Sequence, residues 1–240
     1  MQVNRRLTVS KVTLSDDVVF LLDVDNTLLD NDRVSADLKA HLDHEFGKEN
    51  GDLYWKILDE LRNELGYTDY LGALQRYRAA TAYDPRLLEV SSFLVDYPFV
   101  SRLYPESLET VRRLRQFGRT VILSDGDVVF QPRKVQRSGL WDAVEGRVLI
   151  YVHKEQMLDD IKRRFPAHHY VMVDDKLRIL TAMKESWRDH LTTVFPRQGH
   201  YAMDAKTVAA FPAADITIER IGALIDYDFH ALIDNRMRES

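Results

Sequence analysis

The sequence predicts a doubly wound α/β fold: a parallel, Rossmann-like sheet covered by helices on both faces, with a helical segment inserted after the first strand. Three observations carry this. Short apolar runs rich in β-branched and aromatic residues recur along the chain. Stretches of helical period separate them, and the residues just beyond the runs are carboxylates, a hydroxyl and an amine.

Val18–Leu22 is the first run, and its unbroken apolar character fits a strand buried on both faces. From 31 to 103 no strand pattern follows. Instead Leu53, Ile57, Leu61 and Leu65 recur every fourth residue, Leu87, Val90 and Leu94 mark a second helical face, and Pro85, Pro98 and Pro105 punctuate the exit. That stretch of roughly 70 residues suits a small helical second domain at 31–103, and leaves 1–30 and 104–240 as the α/β core. His41 and His44 share a helix face there and read as solvated surface of that insert.

The alternation resumes with Leu108, Val111 and Leu114, a helix between Pro105 and Gly118, then a strand at 120–123. Strands at 148–152, 170–173 and 191–195 follow, separated by helices marked by Leu158, Ile161 and Phe165 and by Ile179, Met183 and Trp187. The tail at 218–237 has helical character and is expected to pack on the sheet.

Composition removes several function classes. Lys and Arg number 33 against 38 Asp and Glu, a net charge of −5, so there is no basic field to recruit a nucleic acid. The absence of Cys excludes disulfides, thiolate metal sites and a cysteine nucleophile. No apolar run approaches the length of a membrane span, and the start around Arg5 and Arg6 has no apolar signal core, so a cytoplasmic protein without a membrane partner is expected.

In open α/β sheets, ligands bind beyond the carboxyl ends of the strands. Here those ends carry Asp23-Val24-Asp25-Asn26-Thr27, Ser124-Asp125-Gly126, His153-Lys154 and Asp174-Asp175. Carboxylates gathered that closely repel one another unless a cation sits among them, and hard oxygen ligands point to Mg²⁺. Asp23 and Asp174 would offer side-chain oxygens and a backbone carbonyl a further one. The Ser124 hydroxyl, the amides of the Asp125-Gly126 turn and the Lys154 ammonium are the donors a phosphoryl group needs, so a small phosphorylated metabolite is the expected ligand.

In order and spacing, Asp23-Val24-Asp25-Asn26-Thr27, Ser124, Lys154 and Asp174-Asp175 resemble the four motifs of the haloacid dehalogenase-like hydrolase superfamily, over about residues 18 to 195. The resemblance implies a phosphatase with a C1-type helical cap, inserted after the first strand at 31–103, over a catalytic core at 1–30 and 104–240. Asp23 would attack phosphorus to form an aspartyl phosphate, and Asp25 would be the acid and base, its backbone carbonyl a ligand of Mg²⁺. Ser124, Asp125 and Lys154 would bind phosphate, Asp23, Asp25 and Asp174 the metal, and Asp175 would act on the metal's bound water. Lys134 is an alternative to Lys154. The fourth motif departs from its commonest form, with Val173 before Asp174 and Arg178 where a further Asp often stands. A phosphomutase with the same nucleophile, a carbon–halogen hydrolase and a non-catalytic phospholigand-binding module are the rival readings. The oligomeric state is open.

Overall fold

The computed structural model describes residues 17–81 and 84–229. Six parallel strands form one sheet in the order β3-β2-β1-β4-β5-β6, with β1 Val18–Leu22, β2 Arg119–Asp125, β3 Val148–Tyr151, β4 His169–Val173, β5 Leu191–Pro196 and β6 Ile216–Ile218. Register is set by pairs such as Leu22 with Ile122 on one side and with Val173 on the other. The strand order reverses at β1, so β2 and β4 flank it and their ends open into one crevice.

Alternate residues of β1 feed two separate cores, as a strand of period two buried on both faces requires. Val18, Phe20 and Leu22 join one cluster; Val19 and Leu21 join the other. The second face is covered by α8 (Leu158–Arg164) and α9 (Leu177–Trp187), through Ile161, Ile179, Leu180 and Met183. The first face carries α5 (Ser107–Leu114), α6 (Phe130–Arg137) and the short α7 (Leu140–Ala143). Two further short helices, α10 (Gly199–Met203) and α11 (Ala205–Ala209), follow β5.

Between β1 and β2 run four helices, α1 (Asn31–Phe46), α2 (Lys48–Leu65), α3 (Tyr70–Ala80) and α4 (Leu87–Asp96). Asp30 caps α1 by accepting from the Arg33 amide, and Gly66 closes α2 in the left-handed conformation. Their apolar sides, including Leu38, Tyr54, Leu58, Tyr77 and Leu94, meet in the same cluster as the first sheet face. The chain enters and leaves this segment side by side: Leu29 bridges Leu103, the Asp30 amide donates to Arg102 O at 2.8 Å, and the Tyr104 amide donates to Leu28 O at 3.0 Å.

The tail differs from expectation at its start. Residues 216–218 form edge strand β6 on β5, followed by a 3₁₀ turn at Ile221–Ile225; residues 230–237 of the expected helix lie outside those described. Three residues are too few to show alternation in sequence, and β6 exists because β5 offers an unpaired edge. Among the described residues no helix is long and apolar enough to cross a membrane.

Candidate active site

Because the strands are parallel, the polar residues after each fall on one edge. The first loop is a tight turn in which the amides of Leu28 and Leu29 both donate to Val24 O at 2.9 Å, and Asn26 takes a left-handed conformation, φ 62°. This turn leaves Asp23 buried at the sheet edge and Asp25 facing a cavity of about 380 Å³. The Thr27 hydroxyl accepts from the Asp175 amide at 3.1 Å, tying the loops after β1 and β4 together.

Asp23, Asp174 and Asp175 converge, each with a carboxylate oxygen within 4.8 Å of the others, and all three are buried. Lys154 Nζ, itself buried, lies 2.5 Å from Asp23 Oδ1 and 2.7 Å from Asp174 Oδ2. Asp23 Oδ2 and both side-chain oxygens of Asp175 are buried without a hydrogen-bond partner. Such orphaned acceptors are rare in folded proteins unless an ion or water serves them. Burial first, then the charge of Asp23, lifts Asp174 to about 6 against the pull of Lys154. Burial likewise pushes Asp175 well above the usual carboxylate range, with Asp174 and Asp23 adding to it and Lys176 opposing. For Lys154 burial alone would lower the ammonium's pKa, but Asp174, Asp23 and Asp125 outweigh it and hold the proton firmly. The cluster thus has more negative charge than its lysines neutralise, and three hard oxygen donors fit Mg²⁺.

The expected residues are brought together, with three differences in detail. Asp175 stands in the carboxylate cluster itself rather than behind it, since Lys154 takes Asp23 and Asp174 and leaves Asp175 unpartnered. The Asp125 carboxylate holds the Lys154 amide at 2.8 Å, and the Gly126 amide donates to Tyr151 O at 2.9 Å, so that amide is committed to the loop rather than to a ligand. Ser124 Oγ accepts from Gln131 Nε2 at 2.9 Å and donates its own proton only over a long 3.5 Å contact to Asp125 O.

Lys134 does not compete with Lys154; it occupies a different place. Its Nζ reaches Asp25 Oδ1 at 2.6 Å and Asn31 Oδ1 at 2.9 Å, and Gln131 Nε2 reaches Asp25 Oδ2 at 3.3 Å. Sequence reading left out Gln131 and Asn31. The available signal was the three-residue spacing of Gln131 and Lys134, which puts both on one face of a helix starting at the second motif.

The helical segment lines the cavity with Trp55, Leu58, Arg62, Tyr67 and Tyr70, the core with Lys176, His153 and His200. Tyr54 is buried away from the cavity and donates to Tyr70 O at 2.9 Å; Arg76 pairs with Glu64 at 2.8 Å. Asn26 fastens the two sides. Its Oδ1 accepts from the amides of Asn31 and Asp32, and Asp32 in turn holds His200 Nδ1 at 2.6 Å. Gly199, at φ 71°, lies against Asn26, whose Cβ would be 2.4 Å from an added methyl group. Gly199→Ala is therefore expected to destabilise the protein by about 2–4 kcal/mol, the sum of left-handed strain and overpacking. Gly139→Ala, at φ 82° in open space, should show only the strain of about 1–2 kcal/mol. Denaturant unfolding of the two variants measures the difference.

The haloacid dehalogenase-like hydrolase model matches residues 18–186. A haloacid dehalogenase-like hydrolase of Burkholderia xenovorans LB400 is 66% identical, with a TM-score of 0.85 over 88% of this chain and 99% of that one. L-2-haloacid dehalogenase of Xanthobacter autotrophicus, solved with chloropropionic acid covalently bound, shares 14% identity at a TM-score of 0.56, over 86% and 96% of the two chains. The HAD-hydrolase YfnB of Bacillus subtilis, bound to magnesium, shares 15% at 0.59, over 87% and 98%. At such identities the last two share the fold alone. No curated protein matches the sequence. The family match over most of the chain, the 66% identical relative and the parallel sheet with its polar strand ends together make this chain a member of the haloacid dehalogenase-like hydrolases.

Proposed function

We propose that the protein is a Mg²⁺-dependent phosphatase of small phosphomonoesters that works through an aspartyl phosphate on Asp23. The observation that carries this reading is the buried cluster of Asp23, Asp174 and Asp175 with its unpartnered oxygens. Displacement of halide from carbon needs neither a divalent cation nor a second acid, whereas phosphoryl transfer uses both. Mg²⁺ bound by these carboxylates would supply positive charge to the phosphoryl oxygens.

Asp23, held at one oxygen by Lys154, forms a bond to phosphorus as the ester P–O bond breaks. Asp25 gives its proton to the departing alkoxide and then takes one from the water that cleaves the aspartyl phosphate. Ser124 and Lys154 bear on the phosphoryl oxygens, where charge accumulates. Helices α1–α4 serve as the cap. Trp55, Tyr67 and Tyr70 enclose the leaving group and exclude water, which strengthens every charge interaction beneath them. The test is phosphate release from a panel of phosphomonoesters with and without Mg²⁺, beside halide release from 2-haloacids. Mg²⁺-dependent phosphate release is the expected result; halide release without metal would replace this reading with the dehalogenase one, and isomer formation with the mutase.

Metal binding should also register in stability. The folded metal-free protein binds a proton at Asp174 more tightly than the unfolded chain, so this group's contribution is complete below about 3.8 and is lost as pH rises through about 6. Mg²⁺ competes with that proton. At a hundredfold excess over its Kd near neutral pH the cation should add about 2.7 kcal/mol, roughly 5–10 °C in Tm, and the gain should shrink below about pH 5. Thermal melts with and without Mg²⁺ across pH check this.

A further inference from the structure

Lys134 is almost fully buried, 1% exposed, yet it lies outside the carboxylate cluster and outside the phosphate donors. A buried ammonium is costly unless it is paired and hydrogen-bonded, and this one has two oxygen partners. One is Asp25 Oδ1 at 2.6 Å; the other is Asn31 Oδ1 at 2.9 Å, in the first turn of α1. The second Asp25 oxygen receives Gln131 Nε2, three residues earlier on the same helix, at 3.3 Å. Both oxygens of Asp25 are therefore addressed from α6, while the carboxyl itself stays open to the cavity, 26% exposed.

The neighbouring row of α6 grips the other end of the helical segment. Arg133 Nε donates to Val95 O at 3.2 Å, Arg137 Nη2 to Asp96 O at 2.7 Å and Arg137 Nε to Tyr97 O at 3.3 Å. One helix thus orients Asp25 and holds both termini of α1–α4, through Asn31 and through the end of α4.

We propose that Lys134 is a positioning residue: its ammonium, seated between Asp25 and Asn31, fixes the Asp25 carboxyl for proton transfer to the leaving oxygen when the cap is seated. The role rests on the phosphatase reading above. Lys134 meets Oδ1 and Gln131 meets Oδ2 from the same helix, so the proton that Asp25 delivers to the leaving oxygen moves at a carboxyl of fixed orientation. As the Asp23–phosphorus bond forms and the ester P–O bond breaks, that proton passes to the alkoxide, the alcohol departs, and Asp25 is left as a carboxylate beside the ammonium. The water that later attacks phosphorus returns a proton to Asp25 and releases phosphate from Asp23.

The experiment uses the full chain and two esters. An alkyl phosphate needs its leaving oxygen protonated; 4-nitrophenyl phosphate does not, because nitrophenolate leaves unaided. The readout is kcat/KM, which covers the steps through departure of the alcohol and not the later attack of water. Lys134→Met is expected to lower kcat/KM for the alkyl ester about a hundredfold and for the nitrophenyl ester less than about fivefold, with Lys134→Arg recovering most of the alkyl rate. Should Lys134→Met fail to fold by circular dichroism, Lys134→Gln carries the same comparison. Equal losses on both esters, or no loss on either, overturn the role of Lys134 while the phosphatase reading stands. No Asp23-dependent phosphate release by the wild-type protein overturns both.

Discussion

Replacing Asp23 with Asn is expected to lower phosphate release by at least about a thousandfold in a protein that remains folded. Asn keeps the shape of the side chain and removes the nucleophilic charge. Folding should survive because Lys154 retains Asp174 at 2.7 Å and because the substitution relieves repulsion among three buried carboxylates. In the absence of metal the variant should melt no lower than the parent. Phosphate release and a thermal melt on one preparation decide the matter: full activity in folded Asp23→Asn would remove the aspartyl phosphate from the mechanism.

Lys154→Met should have the largest effect on stability. The lysine is buried and its ammonium contacts Asp23 and Asp174, so its loss leaves buried carboxylates uncompensated. Breaking a buried ion pair from one side costs about 3–5 kcal/mol. In a chain of this size that is roughly 6–20 °C in Tm. Mg²⁺ should recover more stability in the variant than in the parent, since it meets a more negative site. Urea unfolding with an unchanged m-value measures the loss; a variant within about 1 kcal/mol of the parent would mean that Lys154 is not the principal counter-charge.

Much of this was legible in sequence, for reasons tied to particular residues. Buried parallel strands such as Val18–Leu22 and His169–Val173 are short, wholly apolar and end in chemistry-bearing residues, so their edges could be located without coordinates. The pairing of Lys154 with two carboxylates follows from that edge. The place of Lys134 does not: it depends on how α6 leans across the sheet toward Asp25, a tertiary fact that spacing within one helix cannot supply. The same limit explains Asp175. Adjacent residues beyond a strand usually diverge, and only the turn anchored by Thr27 Oγ1 on the Asp175 amide brings it alongside Asp174. β6 was lost for another reason, being three residues long and existing by virtue of its neighbour.

The side-by-side passage of the chain at Leu28–Asp30 and Arg102–Tyr104 bears on how such a protein can change. The points of departure and return are one strand spacing apart, about 5 Å, a gap that a short turn would close as readily as four helices do. Loop-closure entropy grows only logarithmically with length, about 0.6 kcal/mol per doubling, so the sheet is nearly indifferent to how much chain hangs from that pair. Lengthening, exchanging or recombining the segment is thereby uncoupled from the sheet that carries Asp23 and Lys154. The lysine at 134 is where that freedom stops, since any replacement segment has to present an acceptor where Asn31 now stands.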